Sequence, residues 1–248
     1  MLLKKSKSGA SKNARFVSVA AKDVPFTYAE AFKALRTNLN FLTNTSGVRS
    51  ILITSALPEE SKSTTAINLA LTLASSGHSV VLVEGDLRKP ILRKYLKREM
   101  GPSGLSSYLS GLVGLEECIT DLKDLGISVI PAGVIPPNPS ELLNTGRMQE
   151  LLSLLKQNYD YVLVDAPPVA VVTDAVVVGG MTDGVLLVVR SRFASARTVR
   201  QAKTKLEAVG VRILGAVLTR FDMRKSGWRT GYDYKHYEYG YGQGRGRR

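Results

Sequence analysis

Three short stretches gather residue types suited to phosphate and metal chemistry. The first reads SALPEESKSTTAINLA, residues 55–70. It follows a β-branched run and opens a helical pattern with Lys62 and Ser63, the pair that closes a phosphate-binding GxxxxGKS/T loop. A lysine there reaches the β- and γ-phosphates, a serine hydroxyl holds Mg²⁺, and helix N-terminal amides face the anion. The glycines of that pattern are replaced, with Ala56 at the first position and Ser61 at the second. Taken alone, the stretch also reads as an ordinary polar helix entry.

The second stretch, VVLVEGDLRKP, ends an apolar strand with two carboxylates, Glu84 and Asp86, followed by Arg88. Side chains two apart on a strand share a face, so both acids are expected to address one ligand. The plain alternative is a solvated turn. The third, YDYVLVDAPPV, places Asp165 after four apolar residues and before a proline turn. An acid at the end of a buried strand is costly unless paired, hydrogen-bonded or near a metal. In phosphate-loop enzymes such an acid orients Mg²⁺; here a helix-capping aspartate is the competing reading.

The elements that must position these residues follow from periodicity. Short apolar runs (SILITS, SVVLVEGD, ISVIPA, YVLVDAPP, GVLLVVR, VRILGAVLT) alternate with helical stretches such as KSTTAINLALTLASS, SELLNTGRMQELLSLLKQN and TVRQAKTKLEAVG. Continuous apolar strands separated by helices predict an α/β fold, a mostly parallel sheet covered on both faces. Each of the three stretches falls at the carboxyl end of a strand, where ligands of such sheets bind. Tyr28, Phe32, Leu35, Leu39 and Leu42 recur at helical spacing, with Glu30, Lys33 and Arg36 on a separate polar stripe.

At 248 residues the chain suits one domain. Its single cysteine, Cys118, excludes an internal disulfide framework. No run of eighteen apolar residues occurs, and the start MLLKKSKSGASKNAR reads as neither a secretion signal nor an anchor. The net charge of +13 is concentrated at the ends, in Lys4, Lys5, Lys7, Lys12 and Arg15 and in Arg245, Arg247 and Arg248. The organisation expected is a flexible basic arm over 1–25, a phosphate-loop domain over 26–224, and a Tyr/Gly/Arg tail over 225–248. Such ends suit acidic lipid, nucleic acid or an acidic partner, or serve only solubility.

Together with YAEAFKALRTNL and PAGVIPPNPSELL, these stretches resemble the bacterial tyrosine kinases of capsule and exopolysaccharide synthesis, the split CpsD/CapB type. The resemblance runs from about Tyr28 to the C-terminus. It implies a P-loop NTPase-like domain that transfers the γ-phosphate of ATP to tail tyrosines, mainly between neighbours in a ring. It assigns ATP binding to Pro58, Glu59, Glu60, Ser61, Lys62, Ser63 and Thr64, and the Mg²⁺ site to Ser63, Asp86 and Asp165. Glu84, where relatives usually carry aspartate, would receive the tyrosine proton. Five of the ten tyrosines, Tyr232, Tyr234, Tyr237, Tyr239 and Tyr241, sit in the tail and are the expected autophosphorylation sites. Tyrosine and arginine in a glycine background also stack on single-stranded nucleic acid, though no nucleic-acid partner is expected here.

The resemblance further implies that Glu30, Lys33 and Arg36 form a subunit contact. In that contact lysine replaces a family arginine and loses its planar fork; a solvated helix face is the alternative. A membrane-bound activator, the cytoplasmic tail of a polysaccharide co-polymerase, would recruit the chain to the inner face of the plasma membrane. A cognate tyrosine phosphatase would reverse the reaction. Thr219 stands where relatives carry an asparagine near the adenine. The family loop reads Pro-Gly-Glu-Gly-Lys-Ser, so Glu59 and Ser61 are expected to hold left-handed backbone at a cost of about 1–2 kcal/mol each. Two rival readings share the fold: a weakly nucleotide-binding pseudokinase scaffold, and a ParA/MinD-type ATPase switch, whose extra early lysine is missing here.

Overall fold

The computed structural model describes residues 16–221. Its centre is a seven-stranded sheet, β1 (Ser50–Ser55), β2 (Val80–Glu84), β3 (Thr120–Leu122), β4 (Ile127–Ile130), β5 (Tyr161–Asp165), β6 (Gly184–Arg190) and β7 (Ile213–Thr219), in the order β3-β4-β2-β5-β1-β6-β7. Every pairing is parallel except β3 with β4. The helices are α1 (Phe26–Ser46), α2 (Lys62–Ala74), α3 (Leu92–Leu96), α4 (Leu105–Leu109), α5 (Pro139–Leu143), α6 (Gly146–Asn158), α7 (Asp174–Gly179) and α8 (Ala196–Glu207).

The two-residue period of the strands builds two cores. Leu52, Val81, Val83, Val162 and Val164 pack with residues of α4 to α8 on one face. Ile51, Ile53, Val80, Leu82 and Leu163 pack with α1, α2 and α3 on the other. Leu39 of the expected amphipathic face of α1 is buried, and Leu35 and Leu42 pack against the same cluster. The parallel sheet with helices on both faces agrees with the alternation in the sequence.

Several boundaries differ from expectation. The helix expected over residues 140–158 is two, α5 and α6, divided at Asn144 and Thr145. The edge strand β3 is three residues long and antiparallel, too short to leave a periodic signal. The basic arm drawn to residue 25 is also too long. Val19 N–H donates to Asn68 Oδ1 at 2.7 Å, Asn68 Nδ2 donates to the Val17 carbonyl at 2.9 Å, and Phe16 stacks on Tyr95. Buried Asn68 must satisfy its amide, and this segment supplies two of the partners beside Tyr28 and Thr64.

Candidate functional site

Because β2, β5 and β1 are neighbours, their carboxyl ends bring the three chemical stretches together. Lys62, the first residue of α2, places its Nζ 3.0 Å from Asp86 Oδ2 and 3.4 Å from Asp165 Oδ1, and donates to Ser63 Oγ at 3.3 Å. Asp86 Oδ1 accepts the Lys89 amide at 3.1 Å, which closes the turn after β2. Gly85 lets β2 and β5 lie close there, since a Cβ would stand 3.0 Å from Val164 Cγ1 and 3.1 Å from the Asp165 carbonyl oxygen, tight enough that these neighbours would have to give.

The electrostatics are those of a buried, mutually compensated cluster. Burial disfavours the Lys62 charge, but Asp165 and Asp86, by charge and hydrogen bond, outweigh it and hold its pKa above the ordinary lysine value. Burial pushes the Asp165 carboxyl up, opposed by Lys62 and the Ser63 hydroxyl and reinforced by Asp86 and Glu84. Asp165 Oδ2 is buried without a hydrogen-bond partner. A buried, unpaired carboxylate oxygen is costly, and beside a serine hydroxyl and a second acid it suits a hard, oxygen-seeking cation or its water. Among the described residues no group of three or more His, Cys, Asp or Glu side chains could hold a metal ion. The hydroxyl and two carboxylates of Ser63, Asp86 and Asp165 are oxygen donors of the kind that fit Mg²⁺, which keeps water and substrate oxygens as its other ligands.

The loop between β1 and α2 adopts the backbone that its glycine-poor sequence makes expensive. Glu59 and Ser61 have φ of 64° and 73°, in the left-handed region. Glu60 holds this shape. Fully buried, it accepts the Leu57 amide on Oε2 at 2.6 Å and the Arg190 amide on Oε1 at 3.1 Å, while its carbonyl accepts Thr219 Oγ1 at 3.0 Å. Arg190 Nη1 also donates to the Glu59 carbonyl at 3.3 Å. The loop is thus moored to β6 and β7. Pro58 and Glu59 are exposed.

One expectation is corrected. Glu84 does not share a ligand with Asp86: its Oε1 accepts the Ile91 and Leu92 amides and its Oε2 accepts the Ala132 amide at 3.1 Å. The strand ends at Glu84, so the alternation rule fails at the turn carrying Asp86. With three backbone amides on its two oxygens, the Glu84 carboxylate has the geometry of a loop anchor. The Glu30, Lys33, Arg36 stripe is also divided. Lys33 pairs with Glu30 at 2.7 Å, and Arg36 donates to the Thr72 carbonyl at 3.3 Å. The five tail tyrosines lie outside the described residues.

A further network was not foreseen from sequence. Asp174, at the start of α7 and fully buried, takes Arg88 in a fork at 2.9 and 3.2 Å, and Ser140 of α5 donates to the same carboxylate. It fixes the chain just beyond Asp86 against α5 and α7. The available signal was an acid opening the apolar run DAVVVGG.

Comparison with known proteins places this geometry in context. The family model described as AAA domain matches residues 59–213. The chain is 36% identical over 190 residues to the tyrosine-protein kinase YwqD of Bacillus subtilis, covering 77% of this chain and 80% of the relative. To the tyrosine-protein kinase CpsD of Streptococcus agalactiae it is 33% identical over 191 residues, covering 77% and 82%. The solved kinase domain of the Escherichia coli tyrosine kinase ETK superposes with a TM-score of 0.74 at 36% identity, covering 82% of this chain and 84% of that one. With its phosphate loop, two acids and parallel sheet arranged as described, the chain belongs to the bacterial tyrosine-protein kinase family.

Proposed function

We propose that this chain binds ATP with Mg²⁺ and transfers the γ-phosphoryl group to protein tyrosines, foremost those of its own C-terminal segment, in the control of capsular or exopolysaccharide synthesis. The observation that carries this reading is the convergence of Lys62, Asp86 and Asp165 at the head of α2. The N-terminal amides of α2 and the Lys62 ammonium receive the phosphates of ATP. Ser63, Asp86 and Asp165 would hold Mg²⁺, which when bound neutralises charge developing on the phosphoryl oxygens. Lys62 then releases the acids and follows the β/γ-phosphates. Phosphoryl transfer of this kind asks mainly for positioning and charge stabilisation, so an anchored Glu84 is compatible with catalysis, the phenolic proton passing late to an oxygen of the transferred phosphoryl group and from there to solvent.

Family membership supports the remaining parts of the reading: a ring of copies, activation by the cytoplasmic tail of a membrane-bound polysaccharide co-polymerase, and reversal by a tyrosine phosphatase. Among the described residues no helix is long and apolar enough to cross a membrane, so placement at the inner membrane face would come through that partner. The pseudokinase alternative draws on the strained backbone at Glu59 and Ser61. Incubating the purified full chain with ATP and Mg²⁺, then mapping phosphate by mass spectrometry, tests the proposal. Phosphate is expected on Tyr232, Tyr234, Tyr237, Tyr239 and Tyr241 and absent in Lys62→Met. Tail phosphate persisting in that variant would show the site assignment to be wrong.

A further inference from the structure

The exposed side of α8 carries Arg197, Arg200 and Lys205, and none of them has a carboxylate partner among the described residues. The nearby Lys203, by contrast, is paired with Glu207 at 2.7 Å. These three cations, with Thr198 and Gln201, line an open cavity of about 550 Å³ that Ala170 of the β5–α7 loop also borders. Arginine forks, an ammonium, a hydroxyl and an amide around one cavity form a donor-rich wall. The phosphate-transfer chemistry at the head of α2 uses none of these groups.

The position of the cavity names an occupant. Arg200 also borders a groove with Leu218 of β7, and the described chain ends three residues later, at Phe221. The last described strand, β7, therefore borders the α8 groove, and residues 222–248 follow it in the chain. Tyr232 lies 11 residues beyond Phe221, a reach of up to about 36–40 Å in an extended chain. As synthesised, that segment holds seven Lys and Arg against three Asp and Glu, so it has no charge match with α8. Each phosphotyrosine adds about −1.5 to −2, and five of them reverse the sign of the segment.

We infer that the Arg197–Arg200–Lys205 face of α8 is a docking surface for the chain's own C-terminal segment once its tyrosines are phosphorylated. The inference rests on the kinase reading for the source of the phosphate, and it adds a place for the product to go. Modification gives the segment the dianionic groups that α8 can hold, and this withdraws spent tyrosines from the rim of the sheet.

The test uses synthetic peptides of residues 230–242, fully tyrosine-phosphorylated or unmodified, titrated by fluorescence anisotropy into the phosphatase-treated full chain. The phosphopeptide is expected to bind at least tenfold more tightly than the unmodified one, with affinity falling as salt rises from about 50 to about 200 mM. The Arg197→Gln/Arg200→Gln/Lys205→Gln variant should lose at least tenfold in phosphopeptide affinity with its melting temperature unchanged. If the triple variant melts early, Arg200→Gln alone is read in the same assay and should lose at least threefold. Equal binding of the two peptides, or undiminished phosphopeptide binding by the variants, overturns the proposal. So does binding of phosphatidylglycerol vesicles or duplex DNA that depends on these residues while the phosphopeptide stays unbound. Because the phosphopeptide is made chemically, its binding does not depend on kinase activity; failure of the kinase reading appears separately, in the Lys62→Met phosphate map.

Discussion

Replacing Glu59 and Ser61 by glycine together tests the account of the phosphate loop most directly. Both residues sit at positive φ, 64° and 73°, where an L side chain costs about 1–2 kcal/mol. Glycine removes that cost and brings its own penalty of about 0.5–1 kcal/mol from the freer unfolded chain. The net gain is about 0.5–1 kcal/mol per site, or about 1–2 kcal/mol for the pair, since neither side chain is the one that moors the loop. For a domain of this size each kcal/mol moves the melting temperature by about 2–4 °C, so the double variant should melt about 2–8 °C higher. Thermal unfolding of the protein without nucleotide reads this term. A calorimetric ATP titration in Mg²⁺ reads a second one, because removing the Glu59 carboxylate from the loop lowers repulsion of the phosphates. Affinity should rise by about tenfold for each 1.4 kcal/mol recovered. A double variant that melts no higher and binds ATP no more tightly would refute the reasoning, and would show that the Glu60 mooring already absorbs the strain.

Other expectations follow from the same coordinates. Glu60→Ala strands the buried Leu57 and Arg190 amides; it should cost about 2–4 kcal/mol in denaturant unfolding, whereas a solvated loop residue would cost almost nothing. Glu84→Gln should lower stability by about 1–3 kcal/mol, through loss of amide acceptors, yet leave tail phosphorylation within about tenfold when assayed well below the melting point. A general base would cost about 10²–10⁴-fold. The Asp165 carboxyl, raised by burial, holds a cation only when ionised. Mg²⁺–nucleotide affinity should therefore be full above its raised pKa and fall as pH drops through it, with an acid limb above the ordinary aspartate value of about 3.9 in a calorimetric pH series. The sign for the fold is opposite, since protonation relieves a buried charge; this group's contribution to the stability of the nucleotide-free protein grows as pH falls.

Much of the fold was legible because its signals are long or stereochemically strict. Six strands announce themselves as continuous β-branched runs, and both faces of the sheet are covered by helices long enough to show their period. The cost of the missing glycines at Glu59 and Ser61 was readable from backbone sterics, and the observed φ values match it. What stayed hidden is short or non-local. Helices α3, α4, α5 and α7 have five or six residues, less than two turns, and display no stripe. Glu60 looks like any polar loop residue until β6 and β7 close over it. The Glu84 carboxylate turns away from Asp86 because the strand stops there, and sequence spacing does not record where a strand stops. The Arg88–Asp174–Ser140 cluster joins residues 34 to 86 positions apart, beyond the reach of any local pattern.

The mooring at Glu60 makes three distant stretches of chain share one fate. Leu57, Arg190 and Thr219 all end on the same buried residue, on three of its oxygens, so a movement that withdraws Glu60 releases all three together. In hydrogen–deuterium exchange, Glu60→Ala should speed exchange at the amides of both Leu57 and Arg190, since it removes the acceptor of each. An evolutionary repair of the loop by glycine leaves that shared lock in place.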